Sequence, residues 1–309
     1  MSTDMRAKLA WVDLPNPVLT ASGCAAAGRE LAQFFDPSLL GAVVTKSVML
    51  GPRAGRPTPR MAETPSGMLN AIGLQGPGID AFVGRDLPWL VSRGARVVVS
   101  IAAGSVDDYA ELARRLRGVP GITMVEVNIS CPNVEDRGQV FACDAAAAGE
   151  VIRVVRATTA YDVPVFAKLS PDVTDIVEVG RSCVEAGADG LSLINTLLGM
   201  AIDTETMRPV LAGETGGLSG PAIRPVAVRC VWQVHEAMPD VPILGMGGIT
   251  CGRDAFELVL AGASAVSVGT AVFNDPRACP RVLRELEEAL AVRGVERLTD
   301  VIGLAHKPL

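Results

Sequence analysis

Aromatic residues are scarce in this chain. Seven Phe, three Trp and two Tyr make up 4% of 309 residues, so any core must be aliphatic, built from Val, Leu, Ile and Ala. Histidine is scarcer still, with His235 and His306 far apart in sequence. The seven cysteines (Cys24, Cys131, Cys143, Cys183, Cys230, Cys251 and Cys279) include no C-x-x-C pair and are odd in number. A disulfide framework, a zinc site and an iron–sulfur site are therefore not expected, and no metal is assigned. No run of five or more Lys/Arg occurs and the formal net charge is −6, which argues against a nucleic-acid partner. No apolar stretch reaches transmembrane length, and the opening "MSTDMRAKLAWVDLPNP" has none of the pattern of a signal peptide. The expectation is a soluble cytoplasmic protein with no membrane contact.

What is present is a recurring unit. Eight short β-rich runs are separated by helix-length spacers: "PVLTASG" (17–23), "GAVVTKS" (41–47), "ARVVVSI" (95–101), "MVEVNIS" (124–130), "VPVFAKLS" (163–170), "GLSLIN" (190–195), "VPILGMGG" (241–248) and "AVSVGT" (265–270). Their near-continuous apolar character fits parallel strands covered on both faces. Among the spacers, "SVDDYAELARRLRG" opens with Ser105 and Asp108 in a capping arrangement, and two others end in Ala-Gly-Ala, a helix stop. Eight βα repeats over this length predict one (β/α)₈ TIM barrel spanning residues 1–309, in preference to an open doubly wound sheet. The long gaps at 48–78 and 196–220 read as loops on the strand-exit side.

The strand ends carry the chemistry. Ser22, Lys46, Ser47, Ser100, Asn128, Lys168, Asn195 and Thr196 all follow apolar runs, and in a barrel they converge on one mouth. A buried ammonium needs a partner, and neither lysine has a carboxylate within three residues along the chain, so an anionic ligand is expected for both. Gly247-Gly248 and Gly269-Thr270 end the last two strands, where such barrels often bind phosphate on backbone N–H groups. "GMGG" is not G-x-G-x-x-G, so no dinucleotide fingerprint is read. "NISCPN" places Cys131 between Asn128 and Asn133 where a buried strand ends.

These segments resemble the class 1 dihydroorotate dehydrogenases, and most closely the class 1B catalytic subunit. "LTASG", "TKS", "MLNAIGLQGPG", "VNISCPNV", "FAKLSP", "INTLLGMAID", "GGLSGPAIRP", "GMGGI" and "VGTAVF" match in order and spacing from residue 19 to 273. The resemblance implies one FMN per chain and oxidation of dihydroorotate to orotate in pyrimidine biosynthesis. It implies Cys131 as the base that removes a proton from substrate. Substrate would be held by Lys46, the Asn70-Ala71-Ile72-Gly73-Leu74 segment, Asn128, Asn133, Asn195 and Thr196. FMN would be held by Ser22, Lys46, Ser47, Ser100, Asn128, Lys168, Ile194, Gly220, Gly247, Gly248, Gly269 and Thr270. It also implies a homodimer joined by partner subunits that carry FAD and a 2Fe-2S cluster, a heterotetramer with NAD⁺ as final acceptor. A fumarate-linked class 1A homodimer, a dihydropyrimidine-dehydrogenase-like subunit and a non-catalytic FMN-binding scaffold are the alternatives. Two departures stand out. Gly76 replaces the family's usual Asn, and the loop "EDRGQVFACD" (135–144) diverges from the usual pattern.

Overall fold

The computed structural model describes residues 3–129 and 143–308. Each of the eight apolar runs contains or overlaps a strand, the fourth starting two residues before its run: β1 (Val18–Thr20), β2 (Val43–Val44), β3 (Val97–Ile101), β4 (Ile122–Asn128), β5 (Val165–Lys168), β6 (Gly190–Leu193), β7 (Ile243–Met246) and β8 (Ala265–Val268). They form one eight-stranded parallel sheet running β2 to β8 in order and then to β1. A parallel bridge between Leu19 and Ala42 closes the circle. The closing seam has little ladder of its own. Gly41 N donates to Val18 O at 2.8 Å, and the Thr20 hydroxyl both donates to Val44 O at 3.1 Å and accepts from Val44 N at 2.9 Å. The fold is a (β/α)₈ barrel.

The registers give the stagger directly. Moving to each paired residue and then one residue up, the path Val44, Val99, Glu126, Ala167, Ser192, Gly245, Ser267, Thr20 returns to Val44. One residue gained at each of eight steps is a shear of eight. Alternate members point inward. Leu191 and Gly245 face the helices, Leu191 toward Gly180 and Gly245 toward Leu258, which turns Ser192 and Met246 to the interior. The interior therefore stacks in layers of four. The lowest complete one is apolar: Leu19, Val98, Phe166 and Leu244, all buried. Phe166 fits there because Gly190 has no side chain; a Cβ at Gly190 would lie 2.3 Å from the ring. Above it come Val44, Glu126, Ser192 and Ser267, then Ala21, Ser100, Lys168 and Met246. At the mouth are Lys46, Asn128, Ile194 and Gly269.

Outside the strands lie helices α1 (Leu87–Ser92), α2 (Val106–Leu116), α3 (Ala145–Thr158), α4 (Ile176–Glu185), α5 (Arg224–Ala237), α6 (Gly252–Leu260), α7 (Ala271–Asn274) and α8 (Ala278–Ala291). The starts of α2, α3 and α4 are capped by short polar side chains that satisfy first-turn N–H groups. Ser105 accepts from Asp108 N, as its spacing predicts, and Asp144 and Asp175 cap α3 and α4. The Ala-Gly-Ala stops also hold, with Gly187 and Gly262 at φ +105° and +122° just beyond α4 and α6.

The structure corrects the expectation about the long gaps. The gaps at 48–78 and 196–220 are more than loops, because they meet in a four-stranded antiparallel sheet. Its order is Leu197–Met200, Thr215–Ser219, Gly67–Asn70, Met61–Thr64. Glycine hides this sheet from a propensity reading yet makes it possible: a Cβ at Gly217 would lie 2.1 Å from the Thr196 hydroxyl. The two histidines are not far apart in space. Their ring centroids lie 5.0 Å apart, His306 stacks on Trp232 at 3.6 Å, and burial together with His306 lowers the pKa of His235. His306 Nε2 lies 3.1 Å from Ala261 O, at the C-terminal end of α6 and therefore on the side of the barrel away from the mouth. Among the described residues, no group of three or more His, Cys, Asp or Glu could hold a metal ion. No described helix is long and apolar enough to cross a membrane.

Candidate active site

The mouth is organised by a chain of side-chain hydrogen bonds that crosses the barrel. Asn195 Nδ2 donates to Asn128 Oδ1 at 3.3 Å, Asn128 Nδ2 donates to Ser47 Oγ at 3.1 Å, and Ser47 Oγ lies 3.0 Å from Ser100 Oγ. Residues from the exits of β2, β3, β4 and β6 are thus held in fixed relation. Tyr109 on α2 adds an anchor from outside, its hydroxyl donating to Asn128 O at 2.8 Å. Amides and hydroxyls of this kind are the group types that pair with a planar, amide-rich ligand.

The two lysines differ. Lys168 is buried, and its Nζ donates to Ser22 Oγ at 2.9 Å and lies 3.8 Å from Glu126 Oε1. The expectation that Lys168 needs a ligand as its anionic partner is therefore corrected: the carboxylate comes from the neighbouring strand. Lys46 lies toward the exit of β1, its Nζ 3.6 Å from the point where a Cβ on Gly23 would be. That glycine has φ +90°, so the chain passes close to the ammonium without a side chain in the way. Lys46, Ser47, Leu74, Gln75 and Gly76 line a cavity of about 470 Å³.

The Asn70–Leu74 segment is set by the antiparallel sheet. Asn70 Nδ2 donates to Gly217 O at 3.2 Å. Ala71 N donates to Arg60 O, and Ile72 O accepts from Arg56 N. Gly73 and Leu74 then turn the chain with φ of +75° and +54°. Thr196 packs against Gly217, with its N–H on Asn195 Oδ1 at 2.8 Å. Asp172, after β5, accepts Leu198 N on both oxygens at 3.1 Å and ties the sheet to the rim. Among the described residues, a Cβ at Gly76 would meet nothing closer than Leu74 O at 3.9 Å, so they do not impose glycine there.

Glycines bring backbone together at the exits of β7 and β8. Gly247 and Gly248 have φ of +124° and +76°, and a Cβ on Gly248 would lie 2.9 Å from Arg224 N, at the start of α5. Gly220, at φ +94°, approaches Gly67 equally closely. Gly269 and Thr270 run directly into α7, and Ile194 N donates to Met246 O on the adjacent strand.

Cys24, which no motif in the sequence singles out, also belongs at this mouth. A Cβ on Gly269 would lie 3.4 Å from its Sγ. Burial pushes its pKa up to about 11, against the pull of Lys168 and Lys46, so the thiol stays neutral at ordinary pH. Glu126 was missed too, because nothing along the chain pairs it with Lys168. Cys131 and Asn133, with most of the divergent loop, lie outside the described residues.

Residues 5–290 match the family model for dihydroorotate dehydrogenase. The chain is 52% identical over 300 residues to the dihydroorotate dehydrogenase B (NAD(+)) catalytic subunit of Geobacter sp. (strain M21), covering 97% of both. It is 52% identical over 303 residues to the same-named protein of Pelobacter propionicus, covering 98% of this chain and 99% of that one. The Desulforudis audaxviator protein of that name is also 52% identical, over 299 residues. A crystal structure of DHODH from Eimeria tenella in complex with ferulenol superposes with a TM-score of 0.83 over 99% of this chain and 89% of that one, at 24% identity, and shares the fold. With a family model spanning nearly its whole length and curated relatives alike from end to end, the chain belongs to the dihydroorotate dehydrogenase family.

Proposed function

We propose that this chain oxidises dihydroorotate to orotate as the FMN-bearing catalytic subunit of an NAD⁺-linked enzyme. The observation that carries the reading is the mouth itself: two lysines and a linked row of Asn and Ser side chains on successive strand ends, beside a glycine-lined backbone. A planar, amide-rich, anionic substrate and a phosphate-bearing cofactor both match that donor set.

The residues fit FMN. Gly247, Gly248, Gly269 and Thr270, with Gly220 nearby, leave backbone open where a phosphate would sit. Ser22, Ser47, Ser100 and Ile194 would line the ring system. Lys168 would stand at the edge where negative charge collects on reduction. Bound FMN supplies the two-electron acceptor for the hydride leaving C6 of the substrate. The other half of the reaction is loss of the C5 proton, assigned to the Cys131 thiolate. A thiol is suited to this because neighbouring positive charge can tune it toward neutral pH. Lys46 would pair with the substrate carboxylate. Asn70, Asn128, Asn133, Asn195 and Thr196 would meet the ring's amide and carbonyl groups, with the Ala71–Leu74 turn alongside. The carboxylate partner for Lys46 favours dihydroorotate over an uncharged dihydropyrimidine.

The relatives are named as catalytic subunits of an NAD(+) enzyme. That supports a second subunit here, carrying FAD and a 2Fe-2S cluster on a dimer of this chain. The test is anaerobic addition of dihydroorotate to the purified yellow protein, which should bleach it. Cys131→Ala should keep bound FMN and slow bleaching at least about a hundredfold, the usual scale of general-base loss. A colourless protein that takes up no FMN would end the proposal, and near-normal bleaching of the alanine variant would move the base elsewhere.

A further inference from the structure

Lys168 has a companion that the reaction described above does not use. Glu126 sits one layer below it on β4, with no measurable exposure, and its two carboxylate oxygens have no hydrogen-bond partner among the described residues. The Ser192 and Ser267 hydroxyls are likewise buried and without a partner. The strand registers place all three in one inward-facing layer with Val44, and Lys168 lies in the layer directly above. A buried carboxylate is costly unless charge or donors compensate it, and a serine hydroxyl in an aliphatic barrel is a net loss unless it bonds something. Three such groups in one ring of four positions, under a buried lysine, are unlike the Leu19, Val98, Phe166, Leu244 layer beneath.

Resting on the flavin reading above, we propose that Glu126 is the fixed counter-ion of Lys168 and sets the reduction potential of FMN through it, with Ser192 and Ser267 supporting the carboxylate through shared water. Glu126 touches neither substrate nor cofactor in this account; it is a positioning residue. The sign follows from charge. Lys168 favours reduced, negatively charged flavin, and the anion behind it offsets part of that pull. Glu126 therefore keeps the flavin easier to reoxidise, which suits a subunit that must hand its electrons onward. It also holds the ammonium in place between Ser22 and the barrel axis.

The experiment is an anaerobic redox titration of the FMN-loaded chain against a reference dye. Glu126→Gln, nearly isosteric, should raise the potential, favouring the reduced form by about tenfold or more, which is about 30 mV for a two-electron couple. In a Lys168→Met background the same change should shift the potential little. Ser192→Ala with Ser267→Ala should move it in the same direction as Glu126→Gln, by less, and decides the matter if the Gln variant fails to fold. A second readout needs no flavin: infrared difference spectra of the apoprotein, parent minus Glu126→Gln, should show carboxylate bands and no protonated acid carbonyl. An unchanged potential in folded, FMN-bound variants, or a protonated-acid band, overturns the inference. Failure of the parent to bind FMN would instead end the flavin reading on which it rests.

Discussion

The lower and upper halves of the barrel interior are made by the same strands and differ in kind. Leu19, Val98, Phe166 and Leu244 present no polar side-chain atom; two residues farther along the same strands stand Ala21, Ser100, Lys168 and Met246. The even strands go from Val44, Glu126, Ser192 and Ser267 to Lys46, Asn128, Ile194 and Gly269. Thr20 and Thr45 aside, outward-facing residues of these strands such as Val99, Val127, Ala167, Leu191 and Val266 are apolar, because they meet helices. A strand in such a barrel can therefore change from holding the fold together to holding a ligand within one pleat repeat. The lower layer should answer to packing energy, and the upper ones to charge and hydrogen bonding.

The strongest way to break this comparison is at Phe166. Phe166→Ala removes a fully buried ring beside Gly190 and should cost about 3–5 kcal/mol in chemical denaturation. The protein that remains folded should still be bleached by dihydroorotate. A variant that is stable but inert would erase the division between the halves.

Lys46→Ala tests the other half. Losing a charge-assisted contact worth roughly 1.5–3 kcal/mol should weaken orotate binding about tenfold or more, with little change in unfolding midpoint. Uracil, which has no carboxylate, should bind almost as before. Equal loss for both ligands, measured by flavin difference spectra, would mean that Lys46 acts on the cofactor alone.

The smallest effect belongs to the helical wrapping, where Cys183 and Cys279 are fully buried. Burial pushes both thiols up to about 12, from a reference value of 9.0. Above pH 9 the unfolded chain loses these protons while the folded chain keeps them. The folded state then binds more protons, and stability falls as pH rises between 9 and 12. The loss should be about 1 kcal/mol per thiol at pH 10. Urea midpoints taken from pH 8 to pH 10 should decline less steeply in a Cys183→Ala, Cys279→Ala double variant. Identical slopes would place the pH sensitivity elsewhere.

How much of this could be read from sequence follows from distance along the chain. The eight strands were legible because each is a continuous apolar run with helix-length spacing. The mouth residues were legible because polar groups at the ends of such runs have only one place to go. Glu126 was not, because its partner Lys168 lies on the next strand, and a search of a few neighbours along the chain does not cross a parallel barrel. The antiparallel sheet over the mouth was missed because Gly199, Gly216 and Gly217 weaken strand propensity while permitting the close pairing that forms it. Cys24 reads as one small residue among several until the end of β8 is seen beside it.

Thr20 links the wall of the barrel to the geometry of its mouth. At the seam between β1 and β2 its hydroxyl takes over the role of a peptide group, bonding both the N–H and the C=O of Val44. Two residues beyond Thr20 is Ser22, which accepts from Lys168; two beyond Val44 is Lys46. Below Ser22 and Lys46, therefore, the seam is held by the Thr20 hydroxyl together with the Gly41–Val18 peptide hydrogen bond. The barrel behaves less like a welded cylinder than like a hoop with a short clasp, and the clasp lies two residues below Ser22, which receives Lys168, and Lys46.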